Sequence, residues 1–88
     1  MVTFEFLITD VFDIRGRRGL LVVGTALQGH ARPGTTIRDV TTGHSFRLLG
    51  IDLHCSRDPE LSGFALVVDR AERDYAQPGR LWVADVEP

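Results

Sequence analysis

Phe4-Glu5-Phe6-Leu7-Ile8-Thr9-Asp10-Val11-Phe12-Asp13-Ile14-Arg15-Gly16-Arg17-Arg18-Gly19-Leu20-Leu21-Val22-Val23-Gly24 is the stretch on which the fold turns. Val2, Phe4, Phe6 and Ile8 alternate with Thr3, Glu5 and Thr9, which is the period-two pattern of a half-buried strand. After Thr9 the phase breaks, because Val11, Phe12 and Ile14 no longer keep step. A bulge or corner near Asp10 is expected there. Ile14–Gly19 is a glycine- and arginine-rich turn, and a second strand is expected from Gly19 to Leu27.

Outward from that hairpin, turns are expected at Gln28-Gly29-His30 and Arg32-Pro33-Gly34, with a third strand over Thr35–Val40. Thr41-Thr42-Gly43-His44 reads as a hairpin turn. A fourth strand is expected over Ser45–His54, with Phe46, Leu48 and Gly50 on one face and Leu49, Ile51 and Leu53 on the other. Ser56–Glu60 reads as a loop, Gly63–Val68 as the fifth strand, and Arg80–Val86 as the sixth after the turn Gln77-Pro78-Gly79. Asp69–Ala76 is charged and too short for a packed helix. Six short strands with glycine turns and no long helix predict an all-β fold, a small six-stranded antiparallel β-barrel occupying residues 1–88 as one domain. The expected core includes Phe4, Phe6, Ile8, Val22, Ala26, Ile37, Leu48, Phe64, Leu66 and Leu81.

The composition bounds the chemistry. At 88 residues the chain buries only about 60–65% of its unfolded surface. Its formal net charge of -2 lacks the basic excess of a general nucleic-acid binder, while leaving room for a local basic patch. All ten basic residues are arginine. Without lysine there is no Schiff-base chemistry and no P-loop lysine. Cys55 is the single cysteine, so no internal disulfide forms, which fits a reducing cytoplasm. No signal-peptide pattern opens the chain, and its purely apolar runs reach only five residues (Phe64–Val68, with four at Leu20–Val23).

Asp10-Val11-Phe12, Ile14 and Gly16-Arg17, followed by Val22, Gly24, Gly29 and Gly34, resemble the second domain of elongation factor Tu and related translation GTPases. Leu48-Leu49-Gly50-Ile51 is similar to that family's central strand, and Gln77–Leu81 to its closing turn and strand. The resemblance is specific over residues 6–37 and loose after Asp52. It implies a six-stranded barrel that acts as a binding module, contacting the acceptor end of aminoacyl-tRNA, the ribosome or partner proteins. The departures are an extra Arg18 in the first turn, Thr25 where an arginine is common, and Glu60–Ala65 where the family has Ala-Gly-x-x-Val-Gly. The GTPase domain and third domain that accompany the barrel in those factors are missing from this sequence, and no GxxxxGK[ST] occurs. Met1 and the fit of one barrel to the chain favour a free-standing domain.

Two surfaces are candidates for function. Arg15, Arg17 and Arg18 share one turn, where arginine forks suit phosphate oxygens of tRNA or a ribonucleoprotein. The bland reading is a solvated turn neutralised by Asp10 and Asp13. Leu21, Val23 and Leu27 share one face of the second strand, opposite Val22, Gly24 and Ala26. A strand apolar on both faces needs cover, from a protein partner, from a second copy in a homodimer, or from the chain's own Asp69–Ala76 with Tyr75.

Other constellations carry less. His54 and Cys55 are adjacent and so point to opposite faces of a strand, and the histidine and cysteine spacing matches no zinc signature. The charges of Asp69–Asp74 read as a solvated loop, and Trp82 as a core residue rather than a base-stacking platform. No catalytic residue, metal site or cofactor is expected.

Overall fold

A computed structural model describes residues 2–13, 16, 19–54 and 63–85. The fold is all-β. Its strands are β1 (Val2–Asp13), β2 (Leu20–Gln28), β3 (Thr36–Asp39), β4 (Ser45–Arg47), β5 (Gly50–His54), β6 (Gly63–Val68) and β7 (Leu81–Asp85), with one turn of 3-10 helix at Arg70–Glu72. They form a seven-stranded sheet in the order β4-β3-β7-β1-β2-β6-β5, antiparallel at every pairing and curled into a half-barrel.

The phase break in β1 is a bulge. Ile8 pairs with Gly24 and Asp10 with Val23, so Thr9 is the extra residue. Before it, Phe4, Phe6 and Ile8 point inward and are buried. After it, Val11 lies opposite Val22 and packs against the core. One additional residue thus moves the apolar side from even to odd positions while the strand continues to Asp13.

Two glycines allow the close strand approach. A Cβ at Gly24 would overlap the Leu7 carbonyl oxygen and come within 2.8 Å of the Phe6 ring. Gly29 has φ +71°, and a Cβ there would overlap the Thr3 carbonyl oxygen. Both positions need the side chain to be absent.

Residues 45–54 form two strands, which corrects the six-strand expectation to seven. The break falls at Leu48–Leu49. Leu48 N–H donates to the Thr35 carbonyl at 2.9 Å, and Leu49 N–H to the Val67 carbonyl at 2.8 Å. Neighbouring residues therefore bond to opposite ends of the strand order. The inward side changes at the same place: Phe46 and Leu48 are buried, and then Ile51, opposite Leu66, packs on the core.

The core joins Phe4, Phe6 and Ile8 of β1 to Leu20 and Val22 of β2, Leu66 and Val68 of β6, Ile37, Phe46 and Leu48, and Trp82 and Ala84 of β7. Trp82 and Ala84, not Leu81, face inward on β7, because they pair with inward-facing Phe6 and Phe4. The Trp82 ring meets Phe46 edge-on at 4.7 Å, and its indole N–H donates to the Tyr75 carbonyl at 3.2 Å. Each fully buried large apolar side chain contributes about 1.5–3 kcal/mol. Phe64 lies outside the described side chains. Among the described residues no helix is long and apolar enough to cross a membrane.

Candidate functional site

The β3–β4 hairpin sits beside the Arg70–Arg80 segment, and polar contacts fasten the two together. Gly43 N–H donates to the Asp39 carbonyl at 2.7 Å, and Asp39 N–H to the His44 carbonyl at 2.8 Å, closing the turn that the Thr-Thr-Gly sequence predicts. This places the Asp39 carboxyl inside the fold, fully buried. Its Oδ2 accepts from Arg80 Nη1 and Thr42 Oγ1, both at 2.8 Å. Oδ1 has no hydrogen-bond partner among the described residues. A buried carboxylate is costly unless paired, so the Arg80 guanidinium is what makes Asp39 tolerable there.

Beside that pair, His44 Nε2 meets Glu72 Oε2 at 2.8 Å. The imidazole stacks on the Tyr75 ring at 4.0 Å between centroids and 14° between planes. Tyr75 packs against the core cluster, and Ala76 is part of it. The Asp69–Ala76 segment thus docks on the interior end of the half-barrel. The 3-10 turn forms because the Asp69 carboxylate accepts from Ala71 N–H at 2.9 Å, an N-cap bond.

Asp13, at the end of β1, adds a second tether. It pairs with Arg70 at 2.8 Å and with Arg73. The Arg70 hydrogen bond, ahead of the Arg70 and Arg73 charges, holds the Asp13 carboxyl below its ordinary value of 3.8. Asp69–Asp74 is therefore more than a solvated loop, since Arg70, Glu72 and Arg73 each hold a partner from elsewhere in the chain. These ties are structural in character. His44 is committed to Glu72 and Tyr75, and Arg80 to Asp39.

The Arg15, Arg17 and Arg18 candidates lie outside the described residues. Of that turn, Gly16 is described, exposed and with φ +85°, the left-handed backbone that a tight turn uses. His54 is described only as the end of β5, and Cys55 lies outside the described residues. Trp82 is fully buried and so offers no stacking face.

Leu21, Val23 and Leu27 differ in accessibility. Leu21 is 9% exposed, Val23 is half-buried, and Leu27 is 54% exposed. Register places Phe12, Leu21, Val67 and Gly50 in one row across β1, β2, β6 and β5. Phe12 at 46% and Leu49 at 48% are the large exposed side chains near it. Phe12 follows the phase break in the sequence, where periodicity does not assign it a face.

The outer face of β3 and β4 was not singled out by sequence. Thr36 lies opposite Arg47 and Arg38 opposite Ser45, while Ile37 and Phe46 between them face inward. Two arginines and two hydroxyls therefore share one outward surface. Arg38 reaches Asp85 at 3.1 Å in an exposed ion pair. Arg47 is exposed, as is Arg32 at the turn leading into β3. Neither has a carboxylate partner among the described residues. The signal that could have found this surface is the period-two spacing Thr36/Arg38 and Ser45/Arg47 across the hairpin turn.

Among the described residues, no group of three or more His, Cys, Asp or Glu is placed to hold a metal ion. No protein-family model, curated protein or solved structure matches this chain.

Proposed function

We propose that this chain is a non-enzymatic, cytoplasmic binding module of the translation-factor second-domain type. In this reading the half-barrel is a closed barrel, and the Arg15–Gly19 turn touches tRNA or a ribonucleoprotein without GTPase activity. The observation that supports it is the bulge at Ile8–Asp10, beyond which Asp10, Val11 and Phe12 of the resembling motif pair with Val23, Val22 and Leu21 on the last part of β1, ahead of the glycine-arginine turn. Closure of the barrel is supported by the consecutive Leu48 and Leu49 hydrogen bonds to opposite ends of the sheet order. Three phosphate contacts from Arg15, Arg17 and Arg18 give a log–log salt slope of roughly -2 to -3, hence weak binding. The test is tRNA affinity of the intact protein against the R17Q/R18Q variant at low salt. A loss of affinity is the expected result, and unchanged affinity contradicts the reading.

A second reading has its own observation. Exposed Phe12, Leu27 and Leu49 on the outside of the sheet fit a protein partner or homodimer that also uses the Leu21–Val23 strand. Light scattering at high protein concentration tests the homodimer. A monomer contradicts it.

A further inference from the structure

We infer that the outward face of the β3–β4 hairpin is a second phosphate-binding surface, formed by Arg38 and Arg47 with the hydroxyls of Thr36 and Ser45 and flanked in sequence by exposed Arg32 in the turn leading into β3, and that its ligand is a single-stranded RNA backbone. The inference rests on the RNA-binding reading above and assigns to it a surface separate from the Arg15–Gly19 turn.

The described arginines divide by partner. Arg70 and Arg73 are held by Asp13, and Arg80 by buried Asp39. Arg32 and Arg47 are exposed with no such partner among the described residues, so a ligand need not displace an ion pair seen there to reach them. Arg38 holds Asp85, but both side chains are nearly half exposed. Exposed pairs of this kind are worth little, and a phosphate can take the carboxylate's place.

The arrangement suits a chain of evenly spaced charges. Arg38 and Arg47 are diagonal neighbours across one antiparallel pair, at Cα separations of about 7–8 Å. Thr36 and Ser45 complete the square with hydroxyl donors, which often contact phosphate oxygens. Guanidinium groups match phosphate with paired N–H donors. The strand alternation that buries Ile37 and Phe46 makes all four of these side chains face outward together.

The test is the salt dependence of binding of a labelled oligouridylate to the full chain. Wild type, R32Q/R47Q, R17Q/R18Q and D85N are compared, with circular dichroism confirming the fold. Losing two contacts should make the R32Q/R47Q slope shallower by about 1.4, at about 0.7 per phosphate on a single strand. R32K/R47K should restore the slope. D85N, which removes the carboxylate that competes for Arg38, should raise the affinity at low salt. Wild-type slope and affinity in R32Q/R47Q overturn this surface, even if R17Q/R18Q abolishes binding and the turn's role stands. The reverse pattern removes the turn and keeps this face. Absence of wild-type oligouridylate binding at low salt overturns the inference, while tRNA binding separately decides the first reading. Polyglutamate that binds as tightly as RNA, and with equal sensitivity to R32Q/R47Q, overturns the assignment to RNA.

Discussion

Arginine has opposite surroundings at the end of the half-barrel and on the β3–β4 face. At the end, Arg80 holds a fully buried carboxylate, and Arg70 and Arg73 converge on Asp13. On the face, Arg38 shares an exposed pair while Arg32 and Arg47 have none among the described residues. The difference is one of desolvation. A guanidinium beside a buried carboxylate is part of the fold, because removing it leaves a buried charge without its counter-ion. A guanidinium on an open strand face does little for the fold and is available to a ligand. One residue type thus serves as a structural tie in one region and a binding group in the other.

Substitutions can break this contrast in order of effect. Arg80→Ala should destabilise the protein most, by about 3–5 kcal/mol, since Asp39 stays buried and uncompensated. Urea denaturation of the variant checks it, and a loss under about 1 kcal/mol would mean that the Asp39 pair is no more structural than a surface pair. Gly24→Ala sharpens the contrast from the packing side. Its Cβ runs into β1, and a loss of about 1–3 kcal/mol is expected by the same assay.

The Asp13 cluster should show its contribution through pH. Its carboxyl is held low by Arg70, so its stabilising contribution is fully present above the ordinary value of 3.8. That contribution is lost as pH falls through the lower folded value, when the carboxylate takes up a proton. In R70Q the acid-side loss tied to Asp13 should shrink, measured as melting temperature against pH. An identical acid limb in wild type and variant would detach Asp13 from acid stability. The smallest effect belongs to the open face. R32Q/R47Q should change stability by no more than about 0.5 kcal/mol per site, and a larger loss would make those arginines structural as well.

How much was legible in sequence follows the range of the interactions. The β1 bulge could be read because a change of phase is local, visible as Ile8 giving way to Val11. The Gly43 and Gly34 turns were equally legible, since their chemistry sits within four residues. The break at Leu48–Leu49 was not. Ser45–His54 reads as one apolar strand, and it divides because its halves pair with β3 and β6, which lie far apart in sequence. Sequence puts both Leu81 and Trp82 in the core because Leu81–Ala84 is apolar throughout, so periodicity cannot choose a face. Register with Phe6 does. The burial of Asp39 was likewise hidden, because its partner Arg80 is 41 residues away. Of the candidate sites, the arginine turn and the aliphatic strand were visible as composition. The β3–β4 face needed the pairing of two strands to bring its arginines together.

The most direct test of the binding-module account is titration of the purified protein with tRNA, aminoacylated and not, across a salt series. The account predicts weak affinity that falls as salt rises and differs between the charged and uncharged forms. No binding to either form at low salt would contradict it and turn attention to protein partners on the Phe12–Leu49 side of the sheet.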